Sequence, residues 1–179
     1  ALTDVGQSRI FRPFFPRREV DVLEQILHAV RQMAKNRVGA LIVFERRNPL
    51  RSYTGTSTPL DAVVSAELIH TIFTPMAPLH DGALIVRGER LVAAGCILPL
   101  TDNPELSKEL GTRHRAAIGI TEETDAVVVV VSEETGIVSL VVDGGIERNL
   151  KPEQLRRDLE RLLDLYSDTT AEESAHESV

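Results

Sequence analysis

Three short segments of this chain bring together residue types that can do chemistry. In Leu79-His80-Asp81-Gly82-Ala83 a carboxylate and an imidazole stand side by side just before an aliphatic run. A carboxylate so placed can take a proton from a hydroxyl or hold a divalent cation. Gly82 lets backbone come close to a ligand or take a conformation closed to other residues. The same segment also reads as a plain turn, since Asp-Gly is among the commonest turn dipeptides. In Gly111-Thr112-Arg113-His114-Arg115 a hydroxyl and a basic triplet fall where a helix is predicted to begin. Free N–H groups at a helix start favour anions, and Arg grips phosphate oxygens bidentately. Cations at that end oppose the helix dipole, so the placement needs a reason, and a bound polyphosphate supplies one. A solvated charged turn is the competing reading. In Ser132-Glu133-Glu134-Thr135-Gly136 an acidic turn joins two apolar runs. It reads most simply as a hairpin, and Glu134 is also a candidate oxygen ligand for Mg²⁺ or Mn²⁺.

The remaining candidates are weaker, and several chemistries are excluded. His28 and His70 fall on predicted helices, with structural or half-exposed roles expected, and His176 lies near the chain end. Cys96 is the sole cysteine, so neither an internal disulfide nor a Cys-based metal cage can form. No Walker A, G-x-G-x-x-G, H-E-x-x-H or G-x-S-x-G motif occurs. A P-loop is therefore ruled out, and residues 112–115 are the best phosphate cradle that remains. The net charge of -7 argues against a nucleic-acid partner, although a local Arg cluster can still hold a small anion.

These segments must be positioned by a small aliphatic domain. The 179 residues suit one core, and with 42% hydrophobic but only 4% aromatic residues the packing must be aliphatic. No run reaches the roughly 18 apolar residues of a membrane span. The chain begins with Ala1, as a processed protein or an excised fragment would. Residues 1–17 form an Arg/Phe/Pro-rich lead-in. Helical periodicity follows over 18–36, with Leu23, Ile26, Leu27, Val30 and Met33 on one face and Gly39 near the stop. Residues 39–44 read as a buried strand and 48–59 as a polar loop. A short helix capped by Ser65 is predicted over 65–73. Strands over 83–87 and 91–98 flank Gly88 as a hairpin. A helix is predicted over 112–120 and strands over 126–131 and 137–142, apolar enough to be covered on both faces. A last amphipathic helix covers 152–166, and the tail, 167–179, is expected to be disordered. The expected fold is an α/β single domain with a mixed parallel/antiparallel β-sheet and helices on both faces, the domain proper spanning 18–166.

Taken together, the segments resemble the diadenylate cyclase domain in its membrane-associated, CdaA-type form. Gly39-Ala-Leu-Ile-Val-Phe-Glu45 looks like the family's first strand, and residues 60–62 with 65–68 look like its next helix. Pro78-Leu-His-Asp-Gly-Ala83 is similar to the Asp-Gly-Ala signature, and Gly111-Thr-Arg-His-Arg-Ala-Ala117 to the Arg-His-Arg signature. Gly95-Cys-Ile-Leu-Pro-Leu100 resembles the segment near the base, and Val131-Ser-Glu-Glu-Thr-Gly136 completes the set. Each piece alone is weak, whereas their order and spacing together are specific. Thr121, where the family often has Ser, and the Thr74-Pro-Met-Ala lead are departures that remove no chemical group.

The resemblance implies condensation of two ATP molecules into cyclic di-AMP and two pyrophosphates, with two protomers facing each other as a homodimer. It implies that Asp81 lies near the attacking 3′-hydroxyl and that Gly82 and Ala83 admit the ribose and base. Gly111, Thr112, Arg113, His114 and Arg115 hold the phosphates, Ser132 contacts phosphate, and Leu98 lines the adenine pocket. His80, Asp81 and Glu134 become candidate ligands for Mn²⁺ or Mg²⁺. The same resemblance implies attachment to the cytosolic face of the cell membrane, a YbbR-type regulator and phosphoglucosamine mutase as partners. The rival expectations are a sensor that binds adenine nucleotides without turnover, and a scaffold whose charged segments are only surface. Pyrophosphate release from ATP, and an ATP-dependent thermal shift, separate them.

Overall fold

The structure, a computed structural model, describes residues 22–104, 106 and 110–164. The lead-in, the tail and the outer ends of the first and last predicted helices lie outside the described residues. Among the described residues one 7-stranded sheet is built at its centre from two strands that are buried along their whole length, β1 (Ala40–Phe44) and β5 (Val127–Val131). Their aliphatic runs show no alternation because both faces are covered. β3 (Ala83–Arg87) pairs with β1 in parallel, and β4 (Arg90–Cys96), β2 (Thr58–Val63), β6 (Val138–Val142) and β7 (Gly145–Arg148) complete the order β2-β4-β3-β1-β5-β6-β7. The other pairings are antiparallel.

Strand alternation sorts the core into two layers. Ala40, Ile42 and Phe44 face a cluster with α1 (Val22–Asn36), α2 (Ala66–Phe73) and α4 (Pro152–Asp164). Leu41 and Val43 face the opposite cluster with α3 (Thr112–Glu123). The mixed sheet with helices on both faces is therefore present as the sequence implies.

Three local expectations need correction. Residues 60–62 are not helical: they belong to β2, an edge strand antiparallel to β4. Pro59, Asp61 and nearby Gly55 resemble breakers, yet an edge strand tolerates proline, and Asp61 (φ 48°) sits in a register shift where Arg90 holds its carboxylate. β7 is an additional strand. Asp143 and Gly144, at φ 49° and 74°, form the two-residue turn between Val142 and Gly145, the left-handed pair that tight hairpins favour. Finally, Gly39 does not end α1. Arg37 takes the left-handed position (φ 53°), while Val38 N–H donates to Met33 O at 2.9 Å.

Candidate functional site

One pole of the sheet collects the segments singled out above. Register fixes this: Ala40 lies opposite Val131, Ala83 opposite Cys96, Val131 opposite Val138 and Ser139 opposite Arg148. The pole therefore carries Gly39, the His80-Asp81-Gly82 turn, Ile97 and Leu98, the 132–136 loop and Arg148. The start of α3 reaches the same pole, because Arg113 Nη1 donates to Glu133 Oε2 at 2.7 Å.

Arg113 explains Gly39. A Cβ on Gly39 would lie 2.6 Å from Arg113 Nη1 and 3.0 Å from Glu133 Oε2. The guanidinium thus rests on bare backbone at the mouth of β1. Its Nε is buried with no acceptor among the described residues. Arg115 is half-buried and makes no ion pair among the described residues, while its carbonyl accepts from Thr101 N–H at 3.1 Å. Gly111 caps α3 without a side-chain bond, and Gly111 and Thr112 are exposed. The first amides of α3 are thereby left to solvent or a ligand.

His114 differs from its two neighbours. It is buried at 5% exposure between α3 and the sheet. Burial first, then the positive charges of Arg148 and Arg113, hold its pKa below the ordinary histidine range, with Glu134 opposing. The neutral ring is therefore favoured, and the permanent positive charge of the triplet lies on Arg113 and Arg115.

The acidic side of the pole is open. Asp81 is exposed, and His80 Nδ1 donates to Ala77 O at 2.6 Å, which leaves Nε2 with its lone pair in the neutral ring. Gly82 (φ 109°) packs on β4: a Cβ would fall 2.8 Å from Gly95 C and 2.9 Å from Cys96 O. Its need for glycine is thus already set by the fold. Ser132 Oγ accepts from Thr135 N–H at 3.3 Å, leaving its own proton to donate. Glu133 and Glu134 are exposed. Ala83 and Leu98 are buried in the α3-side core, whereas Ile97 at 77% and Leu100 at 52% exposure present apolar surface beside the site. No group of three His, Cys, Asp or Glu side chains among the described residues could hold a metal by itself.

Sequence reasoning missed Gly39, Glu133, Arg148 and Gly119. A Cβ on Gly119 would sit 2.2 Å from Pro99 O, so this helical glycine seats the 97–101 segment against α3. A glycine inside a helical pattern was the available signal. His28 and His70 line a separate cavity of about 260 Å³ between α1 and α2.

With this arrangement in hand, the likenesses to known proteins are consistent. A family described as DisA bacterial checkpoint controller nucleotide-binding matches residues 27–146. The chain is 47% identical over 163 residues to the cyclic di-AMP synthase CdaA of Bacillus subtilis, covering 89% of this chain and 60% of that protein. A crystal structure of a double cysteine mutant of DacA from Staphylococcus aureus superposes with a TM-score of 0.77 at 46% identity, covering 78% of this chain and 93% of that one. A hypothetical membrane-spanning protein from Bacillus cereus superposes with a TM-score of 0.71 at 44% identity, covering 73% of this chain and 64% of that one. The chain thus spans about 60% of the length of its curated relative. Its fold and these matches agree that the chain belongs to the DAC family, the nucleotide-binding domain family of diadenylate cyclases.

Proposed function

We propose that this chain is a diadenylate cyclase, joining two ATP molecules into cyclic di-AMP with release of two pyrophosphates. The observation that carries the reading is the pole itself: an exposed Asp81 on one turn and an arginine-rich, uncapped helix start on another, set at the same end of the sheet. Arg113, Arg115 and the first amides of α3 hold the triphosphate and balance charge on the departing pyrophosphate. For Arg113 this means exchanging or sharing Glu133, an exposed partner whose pairing is weak. Ser132 donates its hydroxyl proton to a phosphate oxygen. Asp81 accepts the proton of the 3′-hydroxyl as it attacks the α-phosphorus of the facing ATP. Ile97 and Leu100 offer the apolar surface on which a base can lie.

His80, Asp81 and Glu134 do not come together as a three-ligand site among the described residues, so Mn²⁺ or Mg²⁺ would be held mainly by the triphosphate oxygens, with Asp81 or His80 Nε2 on one side or Glu134 on the other as a protein donor. Such an ion supplies charge neutralisation at the phosphates and a more acidic hydroxyl. Since each protomer carries one ATP pole, ring closure requires two protomers facing across a two-fold axis. No helix among the described residues is long and apolar enough to cross a membrane. The Bacillus cereus relative is described as membrane-spanning, which supports placing this domain beside a membrane, on its cytosolic face where ATP is available.

Pyrophosphate release on adding ATP and Mn²⁺ tests the reading. Stoichiometric release, two per cyclic product, is expected. ATP binding without release would make the domain a nucleotide sensor instead.

A further inference from the structure

Besides Arg113 Nε, two enclosed polar atoms on the α3 side of the sheet have no hydrogen-bond partner among the described residues: His114 Nε2 and Ser139 Oγ. His114 is 5% exposed and Ser139 0%. Strand alternation places Ser139 toward α3, because Val141, two residues on, packs in the α3-side core while Leu140 packs in the other.

Helix and strand geometry brings the two side chains toward one corner. α3 runs along β6, and its far end is pinned where Gly144 N–H donates to Thr121 Oγ at 3.2 Å. His114 lies two turns before Thr121 on the same stripe of the helix, about 11 Å nearer its start. A helical side chain also leans toward its own N-terminus. Both effects carry the imidazole toward the beginning of β6, where Ser139 stands. Arg148 is the cross-strand neighbour of Ser139, and it is Arg148 whose charge acts on His114.

The chemistry is complementary. A hydroxyl donates and the imidazole lone pair accepts, but no hydrogen bond joins the two atoms. One enclosed water bridging them would satisfy both, whereas leaving both unmet in a dry core is costly. We propose that Ser139 is a positioning residue: through one buried water it hydrogen-bonds His114 Nε2 and so fixes the first turn of α3, with Arg113 and Arg115 on either side. The histidine of the basic triplet then works as the anchor and its two arginines as the phosphate contacts. This deepens the cyclase reading and rests on it for its kinetic consequence. The structural core of it, a hydrogen-bonded Nε2 in the Nδ1–H tautomer, stands without it.

The test uses the full chain labelled with ¹⁵N, comparing wild type, Ser139→Ala and Ser139→Thr. Ring-nitrogen spectra read the His114 tautomer and its hydrogen bonding, and ATP kinetics are measured on the same samples. Ser139→Ala is expected to shift the His114 Nε2 resonance. It should also raise KM for ATP about fivefold, the factor one neutral hydrogen bond is worth. kcat should change far less, and Ser139→Thr, which keeps the hydroxyl, should restore both signals. An unchanged Nε2 resonance in Ser139→Ala would overturn the proposal, as would a wild-type KM. A wild-type chain that releases no pyrophosphate would defeat the cyclase reading instead, and the Nε2 resonance alone would then decide the role of Ser139.

Discussion

At the scale of single residues, Gly39 and Gly82 show how similar sequence signals serve different ends. A side chain at Gly82 meets β4 backbone, which cannot move, whereas one at Gly39 meets the flexible end of Arg113. Gly39→Ala should therefore fold with little loss of melting temperature yet weaken ATP binding several-fold by displacing the guanidinium. An unchanged KM would detach Arg113 from the phosphates. His80 offers a second test. Imidazole suits Mn²⁺ better than Mg²⁺, which prefers oxygen donors and retained waters. If His80 Nε2 binds the ion, His80→Ala loses more activity with Mn²⁺ than with Mg²⁺, and Mn²⁺ affinity measured by spin resonance falls with it. Equal losses with both metals would make His80 a support for Asp81 only. Asp81, Arg113 and Arg115 stood out in the sequence because their chemistry is unusual for a turn and a helix start, and the fold sets the segments that carry them at one pole of the sheet. Gly39 was not, since a glycine after a helix reads first as its stop, and only the fold shows Arg113 lying on it.

At the scale of elements, α3 joins the site to the core. A Cβ on Gly119 would run into Pro99 and Thr101 backbone, so Gly119→Ala must push the 97–101 segment away from α3. The expected cost is roughly 1–3 kcal/mol, as for other overpacked sites, read from denaturant unfolding. A neutral substitution would show that the 97–101 segment is not seated there. The buried His114 gives a pH signature. Its folded pKa lies below the ordinary value, so the unfolded chain takes up the proton first. Stability is complete above the ordinary histidine pKa and falls as pH drops through it toward the folded value. Between about pH 7 and 5 the wild type should therefore lose more stability than His114→Asn, and parallel curves would contradict this. The central strands and the four α-helices of the described residues were readable from unbroken apolar runs and 3.6-residue periodicity. β2 was hidden because an edge strand carries Pro59 and Asp61 without penalty. β7 is short and polar, and only its Asp143-Gly144 turn announced it.

At the scale of the whole molecule, one protomer supplies one pole, and a ring made from two ATP molecules needs two. Activity per molecule should therefore rise with protein concentration in the dilute range, following the population of dimer seen by sedimentation. Constant specific activity where only monomer is present would exclude the facing arrangement. The central claim, that this pole condenses two ATP molecules, is tested most directly by offering an equal mixture of unlabelled and fully ¹³C-labelled ATP with Mn²⁺ and weighing the product. Cyclic di-AMP is expected in which the half-labelled species is the most abundant, with two pyrophosphates released for each ring. Recovery of unchanged ATP, or of a nucleotide product containing a single adenosine, would contradict it.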